Sequence, residues 1–412
     1  MTELPLIGLP LTGPSVIGSP LRLAIVASRF WPLAGDAERQ LLRLIQELRP
    51  AGIEPTVVTA RWNRAWPRQV ILPQTPVVRL RTAPRGGLAT LRHYYAMSKW
   101  LTEHSKEFDA VLVSSLRHDA YAALSSMQGT IPVIIQAENA GPEGDVAWLG
   151  RAAFGRRIAA RCREADAIVA TSQTIQTELL SKGFTAERVS LIERGVPIPP
   201  PRSPLARQSA REALAAVNQD LVAESSQTVV LCFARFGPQE GLADLVRAWA
   251  IVASRWPTAR LWIVGDGPLR ESLYRLISDL DLRYRVLMPG IFSENDDLYQ
   301  AADIYVQPAT ADSSTLRLLE AMAAGLPVVA TNLPGHCEVV SCEENGLTVS
   351  PGDAKTLGAA IDNLIRLPGR AVALGAAARE AVRTSRPFNN SVQQYVHLLQ
   401  KLVKTKRTNR KA

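Results

Sequence analysis

Strand-like runs alternate with helical patterns on both sides of a proline-rich connection, and this order predicts an α/β chain of two Rossmann-like halves. In the first half the runs fall at Leu21 to Val26, Pro55 to Thr59, Ala110 to Ser114, Pro132 to Gln136, Ala167 to Ala170 and Val189 to Ile192. Helical patterns separate most of them, which is the arrangement that yields parallel strands with both faces covered. At 412 residues the chain is long enough for two domains, each with its own core.

Taken in order, residues 1–20 read as an irregular lead. The stretch from Leu4 to Leu21 carries no charge, but prolines and glycines interrupt it and Glu3 stands where a signal peptide carries positive charge. The first strand is followed by RFWPLAGDAE and a helix from about Ala37 to Leu48, whose Leu41, Leu44, Ile45 and Leu48 repeat at the spacing of a core-facing stripe. Arg151, Arg156, Arg157, Arg161 and Arg163 decorate a further helix, for which a solvated face and a contact with anionic lipid both remain open. Gly195 to Arg207, GVPIPPPRSPLAR, holds five prolines and reads as the connection between halves. A second alternating series follows: Thr228 to Phe233, a helix near Leu242 to Trp256, Ala259 to Val264, a helix near Pro268 to Leu280, and Val286 to Met288. Helices are expected at about Ala354 to Arg366, Arg370 to Thr384 and Asn389 to Lys404, before a basic tail, 405–412, expected as a solvated end.

The stretch from Ala301 to Glu338, AADIYVQPATADSSTLRLLEAMAAGLPVVATNLPGHCE, reads as a βαβ unit. Ile304 to Gln307 is a strand, Leu316 to Ala324 a helix stopped by Gly325, and Pro327 to Thr331 a second strand. Ser313, Ser314 and Thr315 stand where their hydroxyls can cap the helix, whose first-turn amides and dipole suit phosphate. Asp312 and Glu320 bracket this turn with seven residues between them, and carboxylates suit sugar hydroxyls better than phosphate.

This run resembles the E-x7-E segment of the retaining GT-B-fold glycosyltransferases of family four, the group 1 type, and LLEAMAAGLPVVAT matches it closely. The resemblance extends from Leu21 to Lys404 and implies a sugar transfer from a nucleotide-diphosphate sugar to a saccharide or lipid-linked acceptor. It implies that Glu320 holds the donor ribose, that Asp312, where a Glu is usual, contacts the transferred sugar, and that amides around Ser313, Ser314 and Thr315 hold the diphosphate. It also implies two domains facing a cleft, 21–200 on the acceptor side completed by a helix at 386–404, and 201–385 on the donor side.

Other positions depart further from the family pattern. Gly35 stands in the place of a Gly-Gly loop beside the diphosphate, but Asp36 follows it. Arg235 matches the Arg of an RLxxxKG motif, whereas the Lys is replaced by Glu240. A unit charge near 4 Å is worth up to about 4 kcal/mol at an effective dielectric of ~20, so this reversal can cost roughly two to three decades in binding or rate. Arg194, at a strand end, is read as a compensating cation or as a surface residue of the linker. Gly265 and Gly267, in WIVGDGPLR, resemble the family's GDGP turn, with Arg270 a further diphosphate partner. Arg270 also breaks the dinucleotide fingerprint at its sixth position. Glu138 is a candidate base or hydroxyl ligand, His118 and Asn139 are acceptor-side candidates, and Gly335 is placed beside the sugar. Asp279 and Asp281 form a DxD read as a solvated helix surface, and the resemblance implies no metal and no separate cofactor.

The formal charge of +9 is compatible with nucleic acid, an acidic membrane or phosphorylated substrates, and the resemblance selects the last. Four cysteines without a CxxC pair fit a reducing cytoplasm. Peripheral contact with an anionic membrane is left open. Because Asp36, Arg194, Glu240 and Asp312 all depart from the pattern, the alternatives are a catalytically degenerate relative acting as a binding or scaffolding subunit, and an epimerase on the same fold.

Overall fold

The computed structural model describes residues 20–411 except 34, 128, 293 and 313, with side chains described through 409. Ser313 and all but the final residue of the expected lead lie outside the described residues. The chain divides into two compact units. One holds the residues up to Ala137, Ala153–Val169 and those from Val392 onward, and the other holds Glu138–Ala152 and Ala170–Ser391. The division differs from a boundary near residue 200 because residues 170–194 are tied into the second unit. There the Glu338 carboxylate accepts the amides of Gln173 at 3.0 Å and Thr174 at 2.6 Å, and Arg194 donates to Ser314 at 3.0 Å.

In the first unit, strands β1 (Leu21–Ala27), β2 (Ile53–Ala60), β3 (Gln69–Leu72), β4 (Thr75–Leu80), β5 (Ala110–Val113), β6 (Val133–Ala137) and β7 (Ala167–Ala170) lie in the order β3-β4-β2-β1-β5-β6-β7. Pairing is parallel from β4 through β6, and β1 sits at the centre with Leu23 to Val26 fully buried. The expected stripe of Leu41, Leu44, Ile45 and Leu48 is buried on the helix Asp36–Leu48. The antiparallel β3–β4 hairpin is an addition to the expected series, turned at Gln74 with φ 58°.

One expectation for a basic segment is corrected and another is extended. The basic stretch from Arg151 to Arg163 is two helices, Asp145–Arg151 and Gly155–Cys162, because Phe154 between them is left-handed at φ 65°. The tail is largely exposed, as expected, but it is helical: the last helix runs Phe388–Lys411, with no Gly or Pro to stop it, and Lys406 and Arg407 pair with Asp166 and Asp109 at 2.9 and 2.8 Å.

The second unit contains β8 (Val189–Leu191), followed by β9 (Val229–Phe233), β10 (Arg260–Val264), β11 (Val286–Gly290), β12 (Ile304–Gln307), β13 (Val328–Thr331) and β14 (Leu347–Val349). The last six form a parallel sheet in the order β11-β10-β9-β12-β13-β14. Alternate residues face opposite layers, so Val230 and Cys232 join Trp249 on one side while Leu231 and Phe233 join Trp262 and Tyr305 on the other. Successive strands run outward from β9 to β11, then the chain returns to β12 and runs the other way. The loops after β9 and β12 therefore flank a topological switch point, where doubly wound sheets hold ligands.

Candidate functional site

Glycines force the two loops at this switch point together. Gly241 ends the loop after β9 at φ 65°, and a Cβ there would lie 1.8 Å from the Pro308 carbonyl oxygen, so the backbones pass where no side chain fits. On the other flank, a Cβ on Gly265 would meet the Ala234 oxygen at 1.8 Å, and one on Gly267 would meet backbone atoms of Phe236 at 2.8 and 2.9 Å. Hydrogen bonds from Phe236 N to Asp266 O at 3.0 Å and from Thr310 N to Gln239 O at 2.8 Å complete the clamp. The GDGP turn thus holds the loop bearing Arg235 and Glu240. Arg235 is exposed, whereas Arg270 is turned toward Asp266 at 3.4 Å, Tyr274 at 3.1 Å and the Met288 carbonyl at 3.2 Å.

After β12, the chain enters the helix Leu316–Ala323, whose apolar residues are buried and whose exit is made by Gly325 at φ 81°. Of the hydroxyls expected to cap it, Thr315 makes no side-chain cap and Ser313 lies outside the described residues. Ser314 Oγ meets the Leu316 amide at a long 3.4 Å because its hydroxyl also accepts from Arg194 Nη1 at 3.0 Å. Glu320 is 8% exposed, and its Oε2 accepts from Tyr299 Oη at 3.0 Å with Arg317 Nη1 at 3.7 Å. Asp312 Oδ1 accepts the Gly335 amide at 2.9 Å, which joins this loop to the turn after β13.

Glu138 and Asn139, expected on the acceptor side, belong to the second unit and reach the same loop. A Cβ on Gly141 would lie 2.9 Å from the Asp312 carbonyl oxygen. Asp145 Oδ2 accepts the Glu138 amide at 2.8 Å, and Asn139 O accepts from the Asp145 amide at 3.1 Å. Arg194 Nη2 donates to Glu138 O at 2.8 Å and pairs with its Oε2 at 3.2 Å, and the side chains are 11% and 9% exposed. Glu138, Arg194, Ser314, Asp312 and Gly335 are therefore one cluster.

Two neighbours, Glu178 and His336, carry no local sequence signal, and a third, Glu338, stands with Gly335 in LPGHCE, a partial match to the family's GGxxE. Glu178 Oε1 accepts the Gly141 amide at 2.8 Å, and burial, followed by the charges of Asp312 and Asp145, raises its pKa against that hydrogen bond. His336 is fully buried, and its Nδ1–H donates to Thr331 O at 2.9 Å while burial lowers its pKa and keeps it neutral. Glu338 is spent on the helix Gln173–Ser181, whose N-terminus it caps beside Ser172.

Gly35 and His118 lie in the first unit. Gly35 precedes the helix Asp36–Leu48 in extended backbone, and Asp36 is paired with Arg39 at 2.9 Å. His118 opens the helix His118–Met127, its pKa lowered by burial against the charge of Asp119. Asp279 and Asp281 are exposed, and among the described residues no group of three or more His, Cys, Asp or Glu is gathered as metal ligands.

The second unit, with glycine-clamped loops at a switch point and a carboxylate on either side of the helix start, has the make-up of a doubly wound α/β ligand-binding unit. Comparison with known proteins narrows the class. The family described as glycosyl transferases group 1 matches residues 216–381, and that described as glycosyltransferase family 4 matches residues 37–198. The chain belongs to these group 1, family-four-type glycosyltransferases, and its two mostly parallel sheets are those of the GT-B fold. The lipopolysaccharide core biosynthesis glycosyltransferase LpsE of Rhizobium meliloti is 34% identical over 134 residues, 32% of this chain and 38% of that protein. The GDP-mannose-dependent alpha-(1-6)-phosphatidylinositol monomannoside mannosyltransferase of Mycolicibacterium smegmatis is 35% identical over 142 residues, 32% of this chain and 37% of that protein. Matches to the first such relatives span 36 to 43% of their length. Among solved structures, sucrose-phosphate synthase of Thermosynechococcus elongatus has a TM-score of 0.77 at 22% identity, covering 93% of this chain and 100% of that one. HepE of Anabaena, in complex with UDP and glucose, has a TM-score of 0.74 at 21% identity with the same coverage.

Proposed function

We propose that the chain transfers a hexosyl group from a nucleotide-diphosphate sugar to a saccharide or lipid-linked acceptor, with retention, in polysaccharide or glycoconjugate synthesis. The observation that carries this reading is the helix Leu316–Ala323 at the switch point, with Asp312 and Glu320 held on either side of its start. Glu320, oriented by Tyr299 and Arg317, takes the ribose hydroxyls, and the second oxygen of Asp312 takes a hydroxyl of the transferred sugar. Arg235, first-turn amides of the helix, and Arg194 or Arg270 face the diphosphate.

In the chemical step the bond from the anomeric carbon to the diphosphate oxygen breaks, and a bond to the acceptor oxygen forms on the same face. The acceptor's proton passes to the departing phosphate oxygen, so no protein nucleophile is assigned. Stabilisation of the leaving charge by amides and arginine is the main contribution of the protein, and the reading needs no metal. Cytoplasmic placement, peripheral to an anionic membrane, belongs to the same proposal; among the described residues no helix is long and apolar enough to cross one. No observation favours the non-catalytic alternative.

Thermal shift against UDP-, GDP- and ADP-sugars tests the donor site, since a ligand at a hundred times its Kd stabilises by about 2.7 kcal/mol. One donor class should give a shift that Glu320→Ala abolishes. A shift indifferent to Glu320→Ala, or none at all, refutes the site. The anomeric configuration of the product, read by NMR, decides retention separately.

A further inference from the structure

A cavity of about 440 Å³ lies at the other end of the same sheet, where the chain enters β9, β12 and β13 and not where it leaves them. That volume is in the range of small-molecule sites. Ile304, Pro327, Leu364 and Ala371 give it an apolar floor, and Arg202, Arg207 and Arg379 line it with one carboxylate, Asp303.

Two of the guanidinium groups are held in place by neutral carbonyls. Arg202 donates to Gln300 O at 3.2 Å, and Arg379 to Ala323 O and Pro199 O at 2.5 Å each. These bonds orient Arg202 and Arg379 without neutralising them, whereas Arg207 donates to Gln227 O at 3.2 Å and to Asp303 Oδ2 at 3.2 Å. Asp303 is shared: Arg207 pairs with it at 2.8 Å, Arg211 pairs with it from behind at 2.9 Å, and the Val229 amide donates to it at 2.8 Å. Positive charge therefore exceeds negative charge on the wall. The excess is felt by Arg202, whose pKa is lowered to about 10 by burial and by Arg207 and Arg211, against the pull of Asp303. Its Nε is buried without a hydrogen-bond partner among the described residues.

We propose that this cavity binds a small phosphate-class oxyanion, either free phosphate or a phosphomonoester whose carbon skeleton lies on the apolar floor. Pre-oriented guanidinium forks match phosphate oxygens, and the anion supplies the charge that Asp303 alone does not. The site is separate from the donor site, being at the opposite ends of the strands.

Ala376 lines the cavity and is exposed on the helix Pro368–Ser385, so a substitution there leaves the arginine clamps intact. The test is calorimetric titration of the full chain with inorganic phosphate and with glucose 1-phosphate, carried out in the Arg235→Ala background to weaken the diphosphate site, so that the response to substitution at Ala376 separates the two sites. Phosphate should bind, Ala376→Glu should weaken it at least about tenfold by placing a carboxylate beside it, and Ala376→Gln should leave it within about twofold. Ala376→Glu should also raise the thermal midpoint in the absence of phosphate, because it provides the missing countercharge. Tighter binding of glucose 1-phosphate assigns the site to phosphomonoesters, and equal affinity assigns it to phosphate itself. Absence of millimolar binding, or binding indifferent to Ala376→Glu, overturns the proposal.

Discussion

Replacing Glu138 with Gln separates two roles for the Glu138–Arg194 pair. Arg194 Nη2 stands 3.2 Å from Glu138 Oε2, with both side chains nearly buried. Unit charges at that spacing attract by about 5 kcal/mol at an effective dielectric of ~20, before desolvation is subtracted, and removing one partner of such a pair costs about 3–5 kcal/mol. Glutamine keeps the shape and a carbonyl acceptor, and the 2.8 Å bond to the Glu138 main-chain oxygen survives, so about 2 kcal/mol is expected. The unpaired Arg194 then carries its full charge beside Ser314, and UDP should bind about tenfold tighter, a gain of about 1.4 kcal/mol. Denaturant unfolding and calorimetric UDP titration of Glu138→Gln read the two effects with opposite signs. Unchanged stability together with weaker UDP binding would sink the counter-ion role and show that the carboxylate itself meets the ligand.

Three other outcomes follow from the same geometry. Glu240→Lys restores the family's cation on the clamped loop and should tighten UDP by one to two decades in calorimetry; an unchanged Kd would mean the loop does not approach the diphosphate. Glu338→Ala strips the Gln173 and Thr174 amides and the Thr174 hydroxyl of their acceptor, so the unfolding free energy should fall by about 2–3 kcal/mol, with a shift below 0.5 arguing that solvent replaces it. His93 is buried with Nε2 3.0 Å from Asp119, and although burial opposes protonation, Asp119 and the Thr82 carbonyl raise its pKa above 6.5. Its contribution to stability is therefore fully present below pH 6.5 and is lost as pH rises through the folded-state value, and His93→Gln should flatten the unfolding free energy over that window.

What the sequence disclosed about the fold came from periodicity and from small local motifs. The helix stripe from Leu41 to Leu48 is buried, and the strand Ile304–Gln307 has its expected limits, because in each the apolar spacing and the flanking breakers agree. The β3–β4 hairpin was not legible because its turn, Pro73–Gln74, lacks the Gly or Asn that usually marks a positive φ, and Gln74 adopts one anyway. Phe154 broke the basic helix for the same reason. In the candidate site, Asp312, Ser314, Glu320 and Gly335 could be picked out together because they lie close in sequence around one βαβ unit. The Glu138–Arg194 pair and the Glu178 carboxylate under Gly141 join residues dozens of positions apart, and no local spacing encodes such a meeting.

The departures from the family pattern look less costly in three dimensions than in one. Asp36 is paired with Arg39, so its charge is largely offset where it stands. Arg194, the candidate replacement for the missing lysine, is already balanced by Glu138, and Arg270 leans on Asp266. In the proposed donor site, with two of the three candidate cations paired to carboxylates, the diphosphate would rely on Arg235 and on neutral donors, the helix amides and the glycine-clamped backbone. Such donors act by direction and not by net charge, and salt screens them less than it screens exposed ions. On the proposed reading, a grip on phosphate that rests on backbone geometry would tolerate Glu240, and that geometry is set by Gly241, Gly265 and Gly267, where a Cβ would collide with the neighbouring chain.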